Sequence, residues 1–155
     1  MDKGVHALTK IVIPEYRPTD MRDTTLPTYN GLPPLQHDPK STRMNLVILE
    51  SPFAGDVASN IEYARAAVRD SLSRGEAPIA SHLLYTQDGI LDDDIPDERQ
   101  WGIDAGLAWH GVSTGTVVYT DRGTSRGMEY GIAAARKAGR DVEFRSIESS
   151  EPKDE

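Results

Sequence analysis

The chain has 155 residues, 37% hydrophobic and 27% charged, a balance typical of a globular protein with a hydrophobic core. Its formal net charge of −8 disfavours duplex DNA or RNA, because the protein would repel their phosphates. The lack of cysteine excludes disulfide bonds, thiolate metal sites and cysteine nucleophiles. We find no signal peptide and no apolar run near the roughly 18 residues that cross a bilayer. We therefore expect a cytoplasmic protein without membrane contact.

Residues 1–43 are interpreted as a proline-rich N-terminal arm, because six of the ten prolines lie there. A strand in this arm, such as residues 10–13, would be confined to a sheet edge by the following proline. Two roles stay open for the arm: a surface segment packed on its own or a neighbouring subunit, and a lid over a pocket. Residues 148–155 are acidic and almost without apolar groups, so we expect a disordered tail.

Residues 44–147 show strand and helix patterns in alternation. The apolar run 46–49 predicts a buried strand, and a helix follows from a cap at Asp56 to a stop at Gly75. Residues 78–84 predict a second strand, and the acidic segment 85–94 predicts an irregular loop.

The second half of the domain repeats this alternation. A second helix begins at Pro96, and its predicted buried stripe includes Trp101, Ala105 and Ala108. Residues 116–119 predict a third strand, 127–138 a third helix and 142–147 a fourth strand. The third helix turns Met128, Ile132 and Ala135 inward.

Strands alternating with helices predict an α/β fold, a three-layer sandwich around a parallel sheet of four or five strands of the Rossmann or flavodoxin type. We predict the strand order 2-1-3-4. Ligands of such sheets bind beyond the carboxyl ends of the strands where the order reverses, here between strands one and three. We therefore expect the site to form from the loops after strands one and three and the segment around His82.

Two acids are candidates for catalysis. Glu129 lies in the first turn of the third helix, where the helix dipole favours the carboxylate that a nucleophile needs. Asp104 lies on the second helix, and a second carboxyl could transfer a proton to the leaving group. Each has a plainer alternative: Glu129 complements the helix dipole, and Asp104 faces solvent.

The residues expected to contact a substrate lie on the segments that border this crevice. Small donors there suit phosphate or sugar hydroxyls, although turns are rich in such residues, and His82 is equally well explained as a packed histidine. The candidate substrate-binding residues are Ser51, Pro52, Phe53, Gly55, His82, Asp121, Ser125 and Gly127.

Neither metal chemistry nor serine hydrolysis is indicated. The acids of the segment 88–98 lack the spacing of a calcium loop, and the histidines lack the spacing of metal ligands. No serine stands in a nucleophile-elbow sequence. We therefore expect no metal and no cofactor.

The order of these segments resembles the nucleoside 2-deoxyribosyltransferase-like superfamily, which includes nucleotide N-glycosidases and small phage and bacterial relatives. The resemblance covers about residues 45–147 and rests on the strand with its Ser51-Pro52-Phe53 turn, residues 78–83, the helix 102–109 and the segment 127–131. It implies an enzyme that cleaves or transfers at the N-glycosidic bond of a nucleoside or nucleotide.

By the same resemblance Glu129 is the nucleophile, Asp104 the acid that assists base departure and His82 a base contact. The resemblance also implies a homo-oligomer. Two departures favour a rival function, a catalytically inactive protein that binds or sequesters a nucleotide as a regulator or counter-defence factor. Glu50 stands where relatives carry a small residue, and the first loop lacks their arginine.

Overall fold

Strands and helices alternate in the computed structural model, which describes residues 44–147 together with Leu35. The elements in chain order are β1 (Asn45–Glu50), α1 (Val57–Ser73), β2 (Glu76–Ile79), α2 (Ser81–Leu84), α3 (Pro96–Ala108), a 3₁₀ turn (Trp109–Gly111), β3 (Gly115–Tyr119), α4 (Arg126–Lys137) and β4 (Asp141–Arg145). Apart from Leu35, the predicted arm over residues 1–43 lies outside the described residues, as does the predicted tail over 148–155.

No described helix is long and apolar enough to cross a membrane. The expected cytoplasmic location and homo-oligomer stay predictions.

The four strands form one parallel sheet in the order β2-β1-β3-β4, which confirms the predicted order and fold class. Side chains alternate between the two faces of a strand, so the sheet contributes to a core cluster on each of its faces. On one face Leu49 packs in a cluster with Tyr63 of α1. On the other face Val118 packs with Met128 and Ile132 of α4. Helices therefore cover both faces, as in a three-layer sandwich.

Local signals in the sequence place several helix ends correctly. The Asp56 side chain accepts a hydrogen bond from the backbone N–H of Ser59 at 3.3 Å and caps α1. Gly75 follows α1 with φ of +77°, a conformation that glycine adopts without strain. Ser125 caps α4 by accepting from the N–H of Met128. Met128, Ile132 and Ala135 are buried as predicted.

The predicted second strand extends too far. Strand β2 ends at Ile79, and the following residues form the helical turn α2, in which the N–H of Leu84 bonds to the carbonyl of Ala80 at 3.1 Å. These local hydrogen bonds take the place of pairing with a neighbouring strand, and among the described strands β2 lies at an edge of the sheet and pairs with β1. His82 therefore lies on a helical turn beyond the strand.

The predicted buried stripe of α3 is also wrong at its largest residue. Trp101 is 68% exposed and Ala108 is exposed, while Ala105 is half-buried. Helix α3 has no fully buried residue, although Gly102 and Gly106 lie on a side that faces a cavity. Because this side of α3 faces a cavity instead of a core, the apolar residues of the helix are not the ones that are buried.

Arg145, the last residue of β4, forms an ion pair with Glu76, the first residue of β2. Arg145 is 8% exposed, and its guanidinium bonds to both carboxylate oxygens of Glu76 at 2.7 Å. Glu143 adds a second carboxylate at 2.8 Å. These two carboxylates hold the pKa of Arg145 above its usual range, and the hydrogen bonds from the Arg145 guanidinium lower the pKa of Glu76. The bidentate geometry fixes both side chains, and loss of Arg145 would leave the partly buried Glu76 carboxylate without its cation.

Candidate functional site

A cavity of about 230 Å³ opens at the carboxyl end of β1, beneath α3 and α4. Its floor includes Ile48 and Glu50, which alternate along β1 on the face opposite Leu49. One wall is a continuous stripe of α3 that includes Gly102 and Gly106, and another is the first two turns of α4. The cavity therefore lies beside the junction of β1 and β3, where the strand order reverses, as predicted for the site.

Glu50 is the acid on the floor of this cavity. Its carboxyl lies under α4 at Gly131, where an added Cβ would come within 2.8 Å of the carboxyl carbon of Glu50. Within the described part of the chain no hydrogen bond or ion pair to Glu50 is found, and burial raises its pKa to about 8. Glu50 therefore carries its proton at neutral pH and can donate it.

Ser51 and His82 form a polar pair beside Glu50. The Ser51 hydroxyl oxygen lies 2.8 Å from Nε2 of His82, and the ring of Phe53 approaches the imidazole edge-on. Burial lowers the pKa of His82 to about 4, so the ring is neutral at neutral pH. A neutral imidazole protonated at Nδ1 accepts the hydrogen bond from the Ser51 hydroxyl. An imidazole of such low basicity is a poor acceptor for the Ser51 proton. The pair is therefore suited to holding a ligand rather than to activating Ser51 as a nucleophile.

Charged side chains lie at the rim of the cavity. Arg99 of α3 pairs with Asp93 at 3.1 Å, and Glu98 accepts a hydrogen bond from the N–H of Asp92 at 2.6 Å. Arg126, in the first turn of α4, also lines the cavity. Of the carboxyl groups that line the cavity, Glu50 is thus the one without a partner among the described residues.

Five of the predicted substrate-binding residues line the cavity: Ser51, Phe53, His82, Ser125 and Gly127. They come from three segments of the chain: the end of β1 with the loop that follows it, α2, and the start of α4.

The other three predicted contacts lie elsewhere. Pro52 is buried outside the lining, and Gly55 is exposed in its turn. Asp121 accepts hydrogen bonds from the Tyr63 hydroxyl at 2.6 Å and the N–H of Ile147 at 3.0 Å, and it also bonds to Ser146. Its carboxylate therefore ties the end of β3 to its neighbours instead of facing a ligand.

The two predicted catalytic acids also lie outside the cavity. Glu129 is exposed because it is two residues beyond Gly127, about 200° around the helix from the cavity side. Asp104 is exposed on α3 and accepts a hydrogen bond from Gln100 at 2.9 Å. The expectation that these side chains project into the cleft is wrong, and each fits its plainer alternative.

The lining residues that sequence reasoning did not assign to the site include Glu50, Gly131 and His110. Among residues 44–147, no group of three or more His, Asp or Glu side chains is placed to hold a metal ion. The cavity thus offers one protonated carboxyl, neutral imidazoles and hydroxyls, a set that can hydrogen-bond an uncharged polar ring and transfer a proton.

Comparison with curated proteins gives no match to this chain. The similarity to nucleoside 2-deoxyribosyltransferases stays a prediction. One family profile, described as "Domain of unknown function (DUF7768)", matches residues 45–145, which include every strand of the sheet and all the cavity residues discussed above. The chain belongs to this family.

Proposed function

We propose that the protein binds a nucleoside or nucleotide in this cavity and acts on its N-glycosidic bond, with Glu50 as the general acid. The observation that carries the proposal is the carboxyl of Glu50, which has no partner among the described residues and is buried enough to keep its proton at neutral pH. It lies on the floor of a cavity at the position where sheets of this type bind ligands. At about 230 Å³ the cavity is below the usual range for drug-sized ligands, which suits a small ligand.

The chemistry needs one proton donor near the base. Glu50 donates its proton to a ring nitrogen of the base, and the bond from that base to the anomeric carbon breaks with its electron pair moving to the base. Water adds hydroxide to the anomeric carbon, and its remaining proton returns to the Glu50 carboxylate. The products are the free base and the free sugar, and Glu50 is regenerated.

The test is release of free base from nucleosides, 5′-nucleotides and NAD, measured by chromatography. We expect Glu50→Gln to slow release by about 100-fold or more, because the amide keeps the shape but has no acidic proton. Glu62→Gln is the matched control, since Glu62 is an exposed glutamate on α1 that pairs with Arg65.

Comparison with Glu129→Gln decides between the two glutamates. Full activity in Glu50→Gln together with loss in Glu129→Gln would return the role to Glu129 and contradict the proposal.

A second candidate function is binding without reaction. It is favoured by the placement of Glu129 and Asp104 outside the cavity, which leaves no second free carboxylate among the described lining residues. Glycosidases that form a covalent intermediate use two carboxyl groups. Recovery of intact nucleoside or nucleotide from the wild-type complex, with no free base, would establish this function instead.

A further inference from the structure

We propose that Asn60 is the positioning residue of the cavity: its side chain holds the loop after β1 in place and so keeps the Phe53 ring against His82. Phe53 and His82 line the cavity, whereas Asn60, on α1, does not. The inference rests on the proposed function in one respect, because it takes this cavity as the ligand site.

The side chain of Asn60 joins two loops that border the cavity. The residue is 8% exposed, and its Nδ2 donates hydrogen bonds to the carbonyl oxygens of Phe53 at 3.1 Å and Ala54 at 3.0 Å. Its Oδ1 accepts a hydrogen bond from Nη1 of Arg122, in the loop after β3, at 3.2 Å. Acceptors on one side and a donor on the other fix the orientation of the amide. Asn60 therefore ties the loop after β1 to the loop that leads into α4.

The loop after β1 depends on the two bonds from Nδ2. Residues 51–56 form no helix or strand, and among the described residues no backbone N–H is bonded to the carbonyls of Phe53 or Ala54. Backbone carbonyls that leave the solvent need a partner, and the Asn60 amide provides one for both. Without it these carbonyls would turn towards water, and the Phe53 side chain would move with its backbone.

Arg122, which orients the amide, is held by two further contacts. Its guanidinium carbon lies 4.8 Å from the centre of the Tyr63 ring, and its Nη1 also donates to the Ser59 hydroxyl at 2.7 Å. Tyr63 and Ser59 lie on α1, as Asn60 does, so the guanidinium stays against the amide. The Asn60 side chain is thus fixed before any ligand enters the cavity.

The position of Phe53 affects His82 directly. The Phe53 ring approaches the imidazole edge-on, with 6.2 Å between the ring centroids, and burial lowers the pKa of His82 to about 4. A loop released from Asn60 would let water reach the imidazole, which would return the pKa of His82 towards its ordinary value of 6.5. His82 therefore reports the position of the loop in the ligand-free protein.

The experiment follows the ring signals of His82 by NMR between about pH 5 and about pH 8 in the ligand-free protein, with His82→Gln used to assign them. In the wild type we expect almost no change, because the imidazole is neutral throughout. Glu50 keeps its proton up to about pH 8 and adds no charge beside His82 in this range. We expect Asn60→Ala and Asn60→Asp to raise the pKa of His82 to about 5 or higher, so that protonation begins within the range. Asn60→Asp keeps the shape of the side chain and the acceptor for Arg122, and it loses the two donors to the carbonyls.

Ser71→Ala is the matched control. Ser71 is also buried on α1, and its hydroxyl donates to Glu76 at 2.6 Å, away from the cavity. Urea unfolding measures how far each variant is destabilised. His82 should stay neutral in Ser71→Ala. Protonation of His82 there as well would show a general loosening of the fold and would overturn the inference.

An unchanged His82 in either Asn60 variant would also overturn the inference. If neither variant folds, Arg122→Leu decides, because it removes the donor that orients the Asn60 amide. His82 should then begin to titrate in Arg122→Leu, and an unchanged His82 overturns the inference.

Ligand binding keeps the inference apart from the proposed function. The dissociation constant of the best-bound nucleoside or 5′-nucleotide should rise by about 10-fold in Asn60→Ala, because the ligand must then order the loop. If nucleosides are bound and cleaved equally well by the wild type and Asn60→Ala, the inference fails and the proposed function stands. If His82 responds to Asn60 as expected and the wild type neither binds nor cleaves a nucleoside or nucleotide, the positioning role holds and the proposed function fails.

Discussion

Glu50→Gln should stabilise the protein, and the gain should grow as the pH rises. Burial raises the pKa of Glu50 from 4.5 to about 8, so between these values the folded protein holds a proton that the unfolded chain has released. Stability therefore falls with rising pH by about 1.4 kcal/mol per pH unit in this window. Over the whole window the loss reaches about 5 kcal/mol, an upper limit because water entering the cavity would hydrate the carboxylate. Glutamine has no proton to lose and should escape this loss.

The assay is urea unfolding of both proteins at several values between pH 5 and pH 9, with the free energy of unfolding extrapolated to water. The difference between the two proteins is the informative quantity, because the wild-type curve also contains the titration of His82. Its pKa is lowered from 6.5 to about 4, so His82 makes stability rise with pH between these values and opposes Glu50 there. Subtracting the free energies of unfolding of the two proteins cancels the titration of His82 and leaves that of Glu50.

We expect the difference to be small at pH 5, to grow through pH 7 and to level off above about pH 8. A constant difference from pH 5 to pH 9 would show that the Glu50 carboxyl is hydrated and ionises normally. That result would remove the proton-bearing acid from the cavity and with it the proposed catalytic role.

Three further predictions follow from the same contacts. Base release by the wild type should fall above about pH 8, where Glu50 loses its proton, and a rate that still rises there would contradict the acid role. Gly131→Ala should change the free energy of unfolding by less than about 1 kcal/mol, because the added methyl group meets only the end of the Glu50 side chain and alanine favours the helix, and it should be more favourable in a Glu50→Ala background; equal effects in the two backgrounds would show that the methyl group does not meet Glu50. Arg145→Met should cost about 1–3 kcal/mol, because it leaves the partly buried Glu76 carboxylate with only its hydrogen bond from Ser71, and an unchanged unfolding midpoint would show that the ion pair contributes nothing to stability.

The sheet and its helices were predictable because their signals are local. The cap at Asp56 and the inward spacing of Met128, Ile132 and Ala135 depend only on neighbouring residues. The parallel direction of the strands then follows from their alternation with helices, whereas the order 2-1-3-4 is one of several that right-handed crossovers allow. These features need no knowledge of which distant residues meet.

The predictions from sequence are wrong where tertiary packing, and not local sequence, determines the structure. The run after Ile79 has strand-like apolar composition, yet its backbone closes a helical turn on the carbonyl of Ala80. On α3, apolar composition predicted that Trp101 would be buried, yet Trp101 is exposed. The side that faces the molecule carries Gly102 and Gly106 and borders a cavity instead of a core. A sequence pattern indicates which side of a helix is apolar, and it cannot indicate that the opposing space is empty.

The candidate acid shows how the same periodicities, applied one step further, would have found the site. In a helix, Gly127 and Gly131 share one side, and Glu129 lies on the other, so small residues at this spacing mark the side that approaches a neighbour. In a strand, Glu50 shares a face with Ile48 and opposes Leu49, which the α1 core buries. An acid that ends a central strand is held by strands on both sides and covered by the helix above it. An acid in the first turn of an outer helix is favoured by the dipole whether or not a ligand is near, so its sequence position carries less information about a site.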